Sequence, residues 1–189
     1  DPTECGVNVK DSNKTLTGSG PATWTHDHTP TGVHDLCGNV LEIVRGLRLK
    51  DGALWATESN DAALPETDLT TCGDGWKPIV DSNGDQVYVD AMDGIKFTNE
   101  KPQHGRANFE SWEDVRMECW SDQLMELGLF AGEKKAYCAV DATEGEYLPY
   151  RGGDWDGGGY AGLFYLNLFN PRGNSNWSVG GRSAYFKKR

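Results

Sequence analysis

Three dipeptides in the first half of the chain, Asp51-Gly52, Asn83-Gly84 and Asp93-Gly94, constrain the fold more than any other feature. Each joins a residue that tolerates left-handed backbone to a glycine, the combination a tight hairpin turn requires. Each leads into a short apolar stretch: Ala53 to Thr57, Val87 to Val89 and Ile95 to Phe97. A chain punctuated this way folds as short strands there, not as long helices. Before the first turn, Val40 to Leu49 alternates. Leu41, Ile43, Leu47 and Leu49 fall on one face, and Glu42, Val44, Gly46 and Arg48 on the other. That period predicts one half-buried strand.

One segment reads as helical. Ser111 with Asp114 resembles a capping box, and Gly128 is a natural C-terminal stop. Val115, Cys119, Leu124 and Leu127 form the predicted buried stripe, and Ser121-Asp122 is the point where the helix divides in two. Tyr137 to Val140 and Glu146 to Tyr150 read as a hairpin around Asp141 to Gly145. Asp1 to Pro30 reads as coil, anchored on the body by Trp24. The expected class is therefore α+β: a single domain, residues 1–189, of short strands and long loops with one or two helices.

Charge limits the partners. The net charge is −11, so a phosphate backbone is repelled, and no nucleic-acid partner is expected. The one basic run, Lys187-Lys188-Arg189, reads as a solvated terminus. No run of 18 apolar residues occurs, so no membrane insertion is expected. Asp1 follows neither Met nor an apolar leader, as in a processed chain or a piece of a longer one. Five cysteines, Cys5, Cys37, Cys72, Cys119 and Cys138, include no CxxC pair. Buried free thiols and one or two disulfides both fit them. His26 and His28 flank Asp27, but H-x-H without a third ligand nearby reads as polar loop chemistry. No metal and no cofactor are expected.

From Gly152 to Tyr185 the composition changes: Lys, Glu, Gln and Met are absent, and Gly, Asn, Asp, Tyr, Phe and Ser dominate. Aromatic residues supply contact area at low entropy cost, and Ser, Gly and Asn supply adaptable hydrogen bonds. A glycine-rich loop region packed on the core shares this composition.

Three motifs favour the binding reading. His34-Asp35-Leu36-Cys37-Gly38-Asn39-Val40-Leu41-Glu42 resembles the DLxGNVWEW signature of the formylglycine-generating-enzyme type of C-type lectin fold, with Leu41 and Ile43 at its two tryptophan positions. Arg151-Gly152-Gly153-Asp154-Trp155 resembles the RGGSW that opens its final part. Val179-Gly180-Gly181-Arg182-Ser183-Ala184 resembles its closing IGFRSA. Gly162 to Leu168, Asn170-Pro171-Arg172 and Asn174-Ser175-Asn176-Trp177 are similar, more narrowly, to the variable protein of a diversity-generating retroelement.

In that family an error-prone reverse transcriptase rewrites adenines of a template repeat that replaces the 3′ end of the gene. Template AAC codons then become many residues but never Trp, Met, Lys, Gln or Glu. The resemblance implies that residues 151–182 are the diversified ligand-binding segment. Carried over by position, it implies Asp154, Asp156, Gly157, Gly159, Tyr160, Tyr165, Phe169, Gly173, Ser178 and Gly181 as varied, ligand-contacting residues. It also implies display on a phage tail or a cell surface, with a surface protein or glycan of a host or neighbouring cell as ligand. Asn167, Asn170, Asn174 and Asn176 are expected to hydrogen-bond loop backbone. Trp155, Leu163, Phe164, Leu166, Leu168, Trp177 and Val179 are expected as buried supports. Asp154, Asp156, Tyr160, Tyr165 and Phe169 are expected exposed on one face.

Two alternatives stand against a binder of this kind. A formylglycine-generating-like oxidase needs reactive cysteines in the final segment, and no cysteine follows Cys138. A calcium-dependent carbohydrate-binding lectin would carry EPN or QPD and WND triplets, and none is present. No catalytic residue is expected.

Overall fold

The computed structural model describes residues 7–9, 14–133 and 136–181. Cys5, Arg182, the end of the closing motif and the basic tail lie outside the described residues. The protein is sheet-rich, with 31% of the described residues in strands and 8% in helices, so strand pairing and not helix packing positions the site.

The chain builds two sheets in alternation. Leu41–Ile43 (β1) belongs to the first; Leu47–Lys50 (β2), Ala53–Ala56 (β3), Lys77–Pro78 (β4), Tyr88–Asp90 (β5) and Lys96–Thr98 (β6) belong to the second. Arg106–Ser111 (β7) returns to the first sheet and Arg116–Met117 (β8) to the second. The helix Asp122–Glu126 (α1) follows. Tyr137–Asp141 (β9) lies in the first sheet and Glu146–Tyr147 (β10) in the second. Tyr150–Gly152 (β11), Gly162–Leu168 (β12) and Val179–Gly180 (β13) complete the first. The strand orders are β13-β1-β11-β12-β9-β7 and β10-β2-β3-β5-β6-β8, with β4 also paired to β3. The edge strands β13, β10, β8 and β4 have two residues each. The remaining edge, β7, shifts register between Ala107 and Glu110.

The three turn dipeptides lie where predicted. Asp51 and Gly52 both take left-handed backbone, φ 50° and 78°, and reverse β2 into β3. Gly84 and Gly94 share that conformation, with φ 88° and 71°.

Three expectations need correction. Val40 to Leu49 is not one strand. Gly46, at φ 92°, turns the chain after β1 so that β2 joins the other sheet, and its carbonyl accepts the Thr57 amide at 3.0 Å. Ser111 to Gly128 is not largely helical. Arg116 and Glu118 amides donate to Ile95 and Phe97 carbonyls at 3.0 and 2.8 Å, so strand pairing with β6 outcompetes the helix. The true cap is Ser121, whose hydroxyl accepts the Leu124 amide at 3.2 Å. Gly128, at φ 69°, does end the helix. Val115, Cys119 and Leu124 are buried as expected, though Val115 and Cys119 lie on a strand-and-turn path and only Leu124 on α1. Finally, β9 and β10 are not a hairpin. Asp141 to Gly145 carries the chain between sheets: β9 pairs with β7 and β12, and β10 pairs with β2.

A continuous core lies between the sheets, with Leu41, Tyr150, Leu166 and Leu168 from the first against Leu49, Leu54, Val89 and Phe97 from the second. Trp112 is fully buried and stacks on Phe97 with centroids 6.5 Å apart. Its Nε1 donates to the Phe164 carbonyl at 2.8 Å, which ties β12 to the core.

Candidate functional site

Three sequence-distant motifs meet on β1. β11, which carries Arg151-Gly152, pairs antiparallel with β1 in the register Glu42 to Arg151. β13, at Val179-Gly180, pairs parallel on the other side, Leu41 to Val179. The Gly38 amide donates to the Gly152 carbonyl at 3.1 Å, and the Trp155 amide to the Asn39 carbonyl at 3.2 Å. Residues 153–178 are therefore fastened at both ends to one strand.

The glycines at this junction are fixed by geometry. Gly152 has φ 85°, and a Cβ there would lie 2.7 Å from the Leu36 carbonyl oxygen. Gly153 has φ 78°, and its Cβ would meet Ala161 at 2.7 Å. Only glycine satisfies both conditions. Gly159, Gly173 and Gly181 differ: none has positive φ, and among the described residues a Cβ at each meets nothing within 4 Å. Gly157 is tighter, with the Asp154 carbonyl oxygen at 3.2 Å. All four belong to the ten positions implied by the resemblance.

The other six divide. Asp156 and Tyr160 are exposed, and Asp154, Phe169 and Ser178 are partly buried. Tyr160 is the last residue of a short 3₁₀ turn, Gly158–Tyr160, and its ring meets Tyr137 edge-on at 4.4 Å. Phe169 lies under the Arg106 guanidinium at 5.9 Å. The Ser178 amide and hydroxyl both donate to Asn176 Oδ1, at 2.8 and 2.9 Å.

Tyr165 is the correction. It is 4% exposed, its hydroxyl accepts from Asn167 Nδ2 at 3.3 Å, and burial pushes its pKa up. The reversal has a structural cause. β12 is central in its sheet, between β11 and β9, and its last four residues are all buried. Alternation fails there because both faces are covered. The first half of β12 projects outward instead: Leu163 is 66% exposed and Phe164 42%, so these expected supports face solvent. Trp177, also expected inside, is 63% exposed. It leans on the partly buried Trp155 at 5.6 Å, with the Lys14 ammonium 5.2 Å above its ring. Trp155 Nε1 is buried, without a hydrogen-bond partner among the described residues.

The asparagine expectations also divide. Asn167 Oδ1 accepts the Phe169 amide at 3.0 Å, and Asn176 accepts the Ser178 amide as above. Asn170 donates to Asn167 instead of to backbone. Asn174 Nδ2 is buried, without a partner among the described residues.

Sequence reasoning missed the cavity beside this segment. It encloses about 730 Å³, within the range of small-molecule sites, and its walls include Trp24, His26, Leu36, Cys37, Trp155 and Leu163. None of its lining residues is among the ten positions. Trp24 is 41% exposed and forms a wall of this cavity. The signal available in sequence was Trp24 and His26, in the stretch read as coil, close in sequence to Cys37 in the motif that follows. His26 and His28 serve the loop: His26 Nδ1 accepts the Val33 amide at 2.9 Å, and His28 Nδ1 lies 3.1 Å from the Thr23 carbonyl. Among the described residues, no three His, Cys, Asp or Glu side chains gather as a metal site. Cys37 and Cys72 are exposed free thiols, and Cys119 and Cys138 buried ones. Among the described residues, no helix is long and apolar enough to cross a membrane. Compared with protein-family models and with curated proteins, the chain shows no match.

Proposed function

We propose that this chain is a ligand-binding protein with a C-type lectin fold of the formylglycine-generating-enzyme type, whose C-terminal segment is diversified by a retroelement and displayed on a phage tail or a cell surface. The observation that carries the reading is the junction on β1. Described residues of the three motifs behind the resemblance lie on adjacent strands, β13-β1-β11, and both ends of the intervening segment are anchored. A segment held at its ends tolerates change inside, because the scaffold supplies the stability.

The glycines support the same division. Gly152 and Gly153 sit where a side chain is forbidden, while Gly159, Gly173 and Gly181 sit in open space. The binding face in this proposal comprises Asp154, Asp156, Tyr160 and the open glycines, joined by Leu163, Phe164 and Trp177. Tyr165 supports it from beneath. Exposed aromatic and apolar side chains in one short segment mark a partner surface more often than a solvent surface. The partner is a surface protein or glycan of another cell, and the protein itself is not an enzyme.

The test is genomic. DNA flanking the gene should hold a reverse-transcriptase gene and a near-copy of the 3′ end, with adenines at the codons of the varied positions. A near-copy whose adenines fall instead at the codons of Gly152, Gly153 and Trp155 would overturn the assignment.

A further inference from the structure

The described residues include six arginines: Arg45, Arg48, Arg106, Arg116, Arg151 and Arg172. Four have carboxylate partners. Arg48 and Arg172 pair with Glu146, Arg106 with Asp141, and Arg116 with Asp93. Among the described residues, neither Arg45 nor Arg151 has one, and both line the same cavity of about 300 Å³. In a chain of net charge −11 carboxylates are plentiful, so two unpaired arginines in one pocket are informative.

Arg151 is partly buried on β11 and donates through Nη2 to the Leu127 carbonyl at 2.8 Å. A guanidinium carries five N–H donors, and the rest of its fork has no acceptor among the described residues. Burial pulls its pKa down, against a smaller opposing pull from the Cys138 thiol, the direction desolvation gives a buried cation. Arg45 is exposed, on the link between β1 and β2. Thr57, Ser59 and Asn60 add neutral side chains able to donate from the same wall, and Glu126 also lines it.

We propose that this cavity is an oxyanion site that takes the carboxylate of a small organic acid, held between Arg45 and Arg151. A planar carboxylate matches the guanidinium fork, and a buried cation is stabilised when a ligand supplies the missing charge. Glu126 and the acidic chain select against a dianion such as phosphate and leave a monoanion favoured. The cavity shares no lining residue with the one beside Trp24 and none with the ten positions. It therefore stands or falls independently of the retroelement reading.

The experiment is thermal unfolding of the whole chain with sodium acetate or propionate, matched in ionic strength by sodium chloride, with phosphate as a third arm. The expected result is a saturable rise in Tm with either carboxylate beyond that with chloride. Arg45→Gln should weaken the apparent affinity by about tenfold, on the order of one lost charged contact. Arg151→Met should remove the effect; if that variant does not fold, Ser59→Ala with Arg45→Gln provides the second measure. A carboxylate effect no larger than chloride's, one unchanged by Arg45→Gln, or a preference for phosphate would overturn the proposal.

Discussion

Arg172 grips Glu146 with two nitrogens, Nε on one carboxylate oxygen and Nη2 on the other at 2.9 Å. Glu146 also accepts Arg48 at 2.8 Å and the Thr71 hydroxyl at 2.6 Å, and its side chain is 7% exposed. Arg172 Nη2 continues to the Leu69 carbonyl at 2.8 Å. One carboxylate thus joins β2, β10, the 65–76 loop and the C-terminal segment. Arg172→Ala should cost about 1.5–3 kcal/mol, the scale of hydrogen bonds to a charged group. Glu146→Gln should cost more, about 3–5 kcal/mol, because it strands two arginines. Denaturant midpoints measure both.

The same carboxylate sets a pH dependence. Burial pushes the Glu146 pKa up, but hydrogen bonds from Arg172, Thr71 and Arg48 outweigh it and hold it at about 2. An unfolded glutamate titrates near about 4.3. The folded value is the lower, so the contribution is fully present above the unfolded pKa. It is lost as pH falls from there toward 2. The stability gap between the native chain and Glu146→Gln should therefore narrow on acidification from neutrality to about pH 3. A gap that widens would contradict the assignment.

Tyr160 and Tyr165 should separate in mutagenesis. Tyr165→Ala empties a buried site and should cost about 3–5 kcal/mol. Tyr160→Ala loses one edge-on contact with Tyr137, worth about 0.5–1.5 kcal/mol. Thermal melts of the two single variants check this, and equal losses would place Tyr160 in the core.

Glycine replacement tests which positions are free to vary. Gly173→Tyr and Gly181→Tyr should change stability by no more than about 0.5 kcal/mol, as surface substitutions do. Gly152→Ala meets both left-handed backbone and the Leu36 carbonyl, and should cost at least about 2 kcal/mol. Comparable Tm losses in all three variants would remove the distinction between anchored and open glycines.

Incubation with cysteine-containing peptides, with and without copper, should yield no oxidised product, because no thiol follows Cys138. Oxygen-uptake measurements check this. Turnover lost on mutating any one cysteine would overturn the non-enzymatic reading.

The turns were legible in sequence because a dipeptide such as Asp51-Gly52 carries its geometry locally. That β1 would hold Arg151-Gly152 on one side and Val179-Gly180 on the other was not legible. What escaped was non-local. Arg116 and Glu118 leave the helical path because β6 offers them carbonyls, and no local signal announces that partner. The burial of Tyr165 escaped for a related reason: a period-two reading assumes one wet face, and the second half of β12 has none. The 730 Å³ cavity brings Trp24 to Trp155 across most of the chain, a proximity invisible to spacing.

The sheet margins carry a consequence for how any partner is held. Among the described residues, four of the five outer strands span two residues, and the fifth, β7, is interrupted by its register shift. Edges this short or irregular offer a poor template for an incoming strand. A guest peptide cannot readily extend either sheet through its main chain. For the binding face proposed above, recognition would then fall to side chains, and a surface that reads side chains alone could exchange one target for another without risking runaway self-association.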